Sequence, residues 1–236
     1  MVNLELMTEN LKAEDIARTF EHVTRRRRSI RGFLEKPVDM DVMRQIFAAA
    51  AYAPSNCNTQ PWQLHVASGE KRNRLSRRFL ETVGEGQYQL DFPYEAKYQD
   101  EYRQRQLDVG LMLYQALGVT REDKEGKRRA FLRNLEFFDA PHVVFVFMQD
   151  WCGIREAADV GMYAQNLMLS MQAQGVASCP QTILGYNADM VREELGIAAS
   201  EKLLFGISFG YEDESMPENK IQPGRAELDQ AVQFYS

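Results

Sequence analysis

Apolar residues fall on two different periods along the chain, and the change between them marks out the elements. From residue 11 to 24, Ile16, Phe20 and Val23 recur at helical spacing, and the run ends in the basic cluster Arg25 to Arg28. Asp39 is suited to cap a second helix with Val42, Met43, Ile46, Phe47 and Ala50 on one face, and Pro54 closes it. After a polar loop, Ser55 to Pro61, the period becomes two. Trp62, Leu64 and Val66 alternate with Gln63 and His65, which predicts a half-buried strand, while Val143 to Met148 is apolar throughout and predicts a central one. From Asp159 to Gln174, Val160, Tyr163, Leu167, Met168 and Met171 form a stripe, with Met162 and Leu169 off it. The helix is expected to be apolar nearly all round and buried, with a subunit interface as one way to bury it. Gly175 suits its C-cap, Asn187 can cap a short helix to Leu195, and Leu203 to Phe209 predicts another strand. The tail from Tyr211 is polar but closes on Leu228, Val232 and Phe234, which need an apolar surface beyond their own loop.

The middle of the chain, about 84–140, reads as an inserted cap. Tyr88, Phe92, Tyr94, Tyr98 and Tyr102 precede a helix bearing Leu107, Leu111, Tyr114 and Leu117. No repeat or linker divides the sequence, and 236 residues at 44% hydrophobic and 26% charged can form a single domain over 1–236. A net charge of -6 gives nucleic acid or an anionic membrane little electrostatic purchase, so the expected partner is a small molecule. The longest apolar run, Val143 to Met148, is far below the ~20 residues of a membrane helix, and no basic region precedes an apolar stretch at the N-terminus. Cys57, Cys152 and Cys179 are an odd set without a CxxC pair, which argues against a disulfide framework and fits a cytoplasmic location.

Several chemistries drop out on spacing. Arg121 stands where a P-loop ending in Gly126-Lys127 needs glycine, and Gln89 stands where Gly84-Glu85-Gly86 would need the third glycine of a dinucleotide fingerprint. His22, His65 and His142 are scattered and none has a second ligand at metal spacing, so no metal site is expected. No GxSxG elbow is present.

Three segments carry a resemblance. Arg27-Arg28-Ser29-Ile30-Arg31-Gly32-Phe33, then Ala53-Pro54-Ser55-Asn56-Cys57-Asn58-Thr59-Gln60-Pro61-Trp62, then Asn219 and Arg225 followed by Leu228, resemble in order and spacing the flavin-dependent nitroreductase family. Phe138-Asp139-Ala140-Pro141 and the Asp159 helix extend the resemblance over about 20–234. It implies an α+β fold with a central, mostly antiparallel sheet flanked by helices, and FMN with NADPH or NADH as reductant. It also implies a homodimer with the flavins at the subunit interface and a C-terminal extension exchanged between subunits.

The motif residues suit that cofactor. FMN carries a phosphate dianion and a ring whose N1–C2=O edge gains negative charge on reduction, so cations are needed at both ends. The resemblance implies that Arg27 and Arg225 hold the phosphate with Arg28 in the same motif, that Ser29 adds a hydroxyl contact, and that Arg31 lies at the pyrimidine edge. Pro54, Ser55, Asn56 and Asn58 correspond to the loop that reaches the partner's flavin. Ile183, Leu184 and Gly185 correspond to the segment over the opposite ring face, with a backbone role only, because Leu184 replaces an often acidic residue. Tyr88, Phe92, Tyr94 and Tyr98 are candidates to stack on a small aromatic acceptor. No side chain is expected to act as general acid, since the flavin itself carries the hydride. Plainer roles stay open: a solvated basic helix end, a Pro- and Asn-rich turn, a loop glycine and cap packing. The implied reaction is ping-pong reduction of aromatic nitro groups. Reductive dehalogenation, quinone or enone reduction, and flavin binding without turnover are the alternatives.

Overall fold

The computed structural model describes residues 12–94 and 97–236. Four strands, β1 (Trp62–Ser68), β2 (His142–Gln149), β3 (Ala177–Gln181) and β4 (Glu201–Gly210), form one sheet in the order β1-β2-β4-β3, with every pairing antiparallel. The continuous apolar run of β2 makes it an interior strand. Val143, Phe145 and Phe147 enter one core, and Val144, Val146 and Met148 enter another on the opposite face. Each such side chain contributes about 1.5–3 kcal/mol by leaving water, and each core needs helices to close it.

Helices α1 (Ala13–Arg26), α2 (Met40–Ala50), α3 (Gly69–Glu81), α4 (Asp100–Ala116), α5 (Lys124–Leu132), α6 (Ile154–Ala173) and α7 (Ala188–Leu195) surround the sheet. Leu75 and Phe79 of α3 and Met190 and Val191 of α7 close the first core; Met43 and Ile46 of α2 and the Val160, Leu167 and Met171 stripe of α6 close the second. The expected caps form: Asp39 accepts from the Asp41 amide at 2.8 Å, Asn187 from the Met190 amide at 3.2 Å, and Gly175 takes left-handed φ beyond α6; Gly196, which the sequence does not mark, does the same beyond α7.

Five features differ from the sequence expectation. Strand β3 escaped notice because its polar Ala-Ser-Cys-Pro-Gln run holds a proline, which an edge strand tolerates. Helix α3 carries only a thin apolar stripe among its arginines. In β1, Val66 lines a groove with Met40 and Phe47 and stays 43% exposed, whereas Ala67 is buried in the first core. Helix α6 starts earlier, at Ile154, because Glu156 accepts from the Gly153 amide at 2.8 Å, and it keeps Met162 exposed rather than burying its whole circumference. Within 84–140, Leu135, Phe137, Phe138 and Ala140 belong to the first core, while α4 buries no residue.

His142 opens β2 inside this packing. The Val38 amide donates to Nε2 at 2.9 Å, so the proton sits on Nδ1, 2.5 Å from the Ser68 hydroxyl oxygen, and the ring stacks on Phe209. This polarity leaves the imidazole unable to take a proton from Ser68. Burial lowers its pKa from the ordinary 6.5. Below that value the unfolded chain takes up a proton that the folded chain refuses, so the contribution to stability is present above about 6.5 and is lost as the pH falls through the window beneath it. Urea midpoints at pH 7.5 and 5.5 check this: the drop on acidification is expected to shrink in His142→Gln.

Candidate active site

The segment that follows α1 lies along the open edge of β3. Ser29 bridges Ser178, the Ile30 amide donates to the Ser178 carbonyl at 3.1 Å, and the Leu34 amide donates to Tyr211. Asn219, only 2% exposed, holds the other side of the segment. Its side-chain oxygen accepts from the Arg31 amide at 2.7 Å, and its nitrogen donates to the carbonyls of Gly32 at 2.8 Å and Asp213 at 2.9 Å. Arg28 completes the clamp with a two-point pair to Glu212 at 2.9 and 3.0 Å and a bond to the Asn219 carbonyl. Its guanidinium is thereby committed inside the chain, so its place is to hold the motif.

Arg27 is different. It shares a cleft of about 780 Å³ with Arg25, Arg26, Arg28, Gln222 and Arg225. Arg25 is paired with Glu21 and Arg28 with Glu212. Among the described residues no carboxylate pairs with Arg27, Arg31 or Arg225, and Arg225 donates only to the carbonyls of Pro223 and Gly224. Burial first, and then the charge of Arg225, pull Arg27 below the usual guanidinium value. Two cations almost 200 positions apart in sequence have been brought together against their repulsion, and a dianion such as a phosphate is the group that relieves it.

Cys179 of β3 is buried next to Ser178, the residue that Ser29 bridges. Burial raises its thiol to about 11, against the opposing influence of Arg31, Ser29 and Arg27. Arg31, Ser29 and Arg27 thus all lie near enough to one buried thiol to influence it. The thiol itself is not poised to react.

Ile183, Leu184 and Gly185 lie in the turn Thr182–Gly185 that follows β3. Leu184 is fully buried in the first core, and a Cβ on Gly185 would stand 2.7 Å from the Leu204 carbonyl oxygen. Glycine is therefore required by the approach of this turn to β4, and only its backbone is available to a ligand. Tyr186, which sequence reading missed, stands next in line, with the rings of Tyr88 and Tyr94 at 5.5 and 6.1 Å. Tyr98 lies close enough to raise the Tyr94 hydroxyl above its ordinary pKa, whereas Phe92 packs against the second core.

The loop Pro54–Asn58 does not line the arginine cleft of its own chain. Asp159, buried on α6, accepts from the Asn56 amide at 3.0 Å; the Ser55 hydroxyl accepts from the Gln60 amide at 2.9 Å, and the Gln60 side chain donates to Asn58. Cys57, Asn58 and Gln60 all have positive φ, a strain of about 1–3 kcal/mol each that persists only where surrounding bonds impose it. Asp159 had drawn attention only as the start of a helix; its anchoring role depends on the tertiary approach of α6 to this loop.

The nitroreductase family model matches residues 24–211. The chain belongs to the nitroreductase family. It is 41% identical over 221 residues to nitroreductase NfnB of Mycolicibacterium smegmatis, covering 93% of this chain and 94% of that protein. It is 32% identical to the nitrobenzene nitroreductase of Ectopseudomonas oleovorans, covering 91% of this chain and 96% of that one. The crystal structure of the FMN-dependent NfnB from Mycobacterium smegmatis in complex with NADPH superposes with a TM-score of 0.90 at 41% identity, over 94% of this chain and 100% of that chain. The family fold is thus shared along almost the entire length.

The uncompensated arginines predict anion binding that does not depend on a flavin. Replacing chloride with phosphate at matched ionic strength is expected to raise the melting temperature of flavin-free protein by about 3 °C. Differential scanning calorimetry of Arg27→Gln, with the increment gone, checks the assignment.

Proposed function

We propose that this protein is an FMN-dependent NADPH oxidoreductase that reduces nitro groups on small aromatic compounds. The observation that carries the reading is the convergence of Arg27 and Arg225 without a counter-charge among the described residues, and the FMN-dependent NfnB relative, solved in complex with NADPH, supports it. The residues fit FMN: Arg27 and Arg225 would hold its phosphate, Ser29 and Arg31 would follow along the ribityl chain and pyrimidine edge, and the backbone of Ile183–Gly185 would face the ring. When bound, FMN supplies a ring that takes up hydride from NADPH and delivers it to the acceptor in ping-pong order. Arg31 would stabilise negative charge at the pyrimidine edge. Tyr88, Tyr94 and Tyr98 would exclude water and offer flat faces to the acceptor. In the first two-electron step a nitro group, NADPH and a proton give a nitroso group, NADP+ and water.

The reading includes a homodimer in which the Pro54–Asn58 loop completes the partner's site and the C-terminal extension crosses between subunits. Two exposed apolar surfaces among the described residues support it. Ile16 and Phe20 on α1 border an apolar groove of about 410 Å³ against α6, and in the tail Leu228 and Phe234 are exposed, Phe234 by 82%. No described helix is long and apolar enough to cross a membrane, and three free thiols fit the reducing cytoplasm proposed for it.

Purified protein is expected to be yellow and to bind FMN at least about a hundredfold more tightly than riboflavin, since two charge-assisted contacts are worth ~1.5–3 kcal/mol each. Anaerobic NADPH should bleach it and nitrobenzene should restore the colour. Colourless protein, or bleaching that nitrobenzene cannot reverse, defeats the proposal. For the dimer, light scattering should give twice 27.2 kDa, and truncation after Arg225 should weaken both association and flavin retention. An active monomer contradicts this part.

A further inference from the structure

Resting on that reading, we propose that the ion pair between Asp91 and Arg192 is a positioning device for the acceptor: it fixes the tyrosine-bearing segment 88–94 against Tyr186 and so sets the affinity for flat, electron-poor arenes. The segment has no regular helix or strand to stiffen it, and its tyrosines are exposed. Phe92 packs against the second core, and two polar attachments hold the backbone around it. The Gln89 backbone bridges the turn after β3, its amide donating to Tyr186 at 2.7 Å and its carbonyl accepting from Ala188 at 2.9 Å. Two residues on, the Asp91 carboxylate accepts from both terminal nitrogens of Arg192, at 2.5 and 3.0 Å, and from the Leu203 amide at 2.8 Å.

The pair is buried, with the Arg192 and Asp91 side chains 9% and 8% exposed. Arg192 also donates to the Glu201 carbonyl at 3.0 Å and pairs with Asp189, and Lys202 stands 3.7 Å from Asp91. Burying such a pair gives little net stability over an apolar substitute, but its fork geometry allows a single arrangement. Here that arrangement ties the segment to α7 and β4 together. Because Asp91 lies midway between Tyr88 and Tyr94, the pair governs both rings that face Tyr186. Electron-rich phenol faces stack best on rings depleted of electrons, which is what a nitro substituent produces.

The test uses FMN-loaded Asp91→Asn, with nitrobenzene and ferricyanide as alternative acceptors; ferricyanide takes electrons without stacking. The expected result is a rise of about tenfold in the nitrobenzene KM, with FMN retention and the ferricyanide KM unchanged. Tyr94→Leu should raise the nitrobenzene KM in the native background and add little in Asp91→Asn, because the displaced segment has already lost the contact. An unchanged nitrobenzene KM, or equal losses with both acceptors, overturns the positioning role. If Asp91→Asn fails to fold, Arg192→Lys, which keeps the charge and loses the fork, decides between the same outcomes. Failure of the functional reading is separate: native holoenzyme that accepts electrons from NADPH, passes them to ferricyanide and is inert to nitrobenzene removes the reading itself.

Discussion

The candidate site depends on one polar constraint, the clamping of residues 28–33 between the edge of β3 and the segment 211–219. Asn219 satisfies an amide and two carbonyls with one buried side chain, and Arg28 binds Glu212 at its flank. Backbone that would otherwise end the sheet against solvent is thereby ordered, and its side chains are given fixed directions. Arg31 is held by its amide and Arg27 is pressed toward Arg225. Remove the clamp, and the arginines become a solvated helix end.

That clamp needs a rigid wall behind it, which the sheet provides. β2 is buried on both faces, so β4 and β3 are held in register beside it, and β3 presents a firm edge. The left-handed φ values at Cys57, Asn58 and Gln60 show a similar division of labour: α6 and its buried Asp159 hold a loop in a conformation it would not choose alone. Phe137 and Phe138, at the entry to β2, take the same left-handed φ inside the first core, where packing imposes it.

Electrostatics sort the arginines into two groups. Arg28 and Arg192 are bound by carboxylates, and Arg72 reaches across the fold to the Ala140 carbonyl; these organise the backbone. Arg27, Arg31 and Arg225 are left without carboxylates among the described residues, and that imbalance marks the place where a negatively charged ligand belongs. In a chain of net charge -6, one cleft is lined by five arginines.

By itself the sequence determined the central strand, from the unbroken run Val143–Met148, the capped helices at Asp39 and Asn187, and the motifs that place the chain in its family. These are local or additive signals: a period, a cap, a spacing. It did not determine β3, whose polar and proline-bearing residues become a strand only because β4 offers an edge. Nor did it assign Arg28 inward and Arg27 outward, since adjacent arginines are alike until Glu212 and Asn219 come within reach of one of them. The glycine at 185 had an evident chemistry, but its reason, the Leu204 carbonyl, appears only when the turn meets the sheet. Tyr186, Asp91 and Arg192 belong to the same class. Their significance is a matter of distance across the fold, and contacts between residues some 100 positions apart leave no periodicity to read.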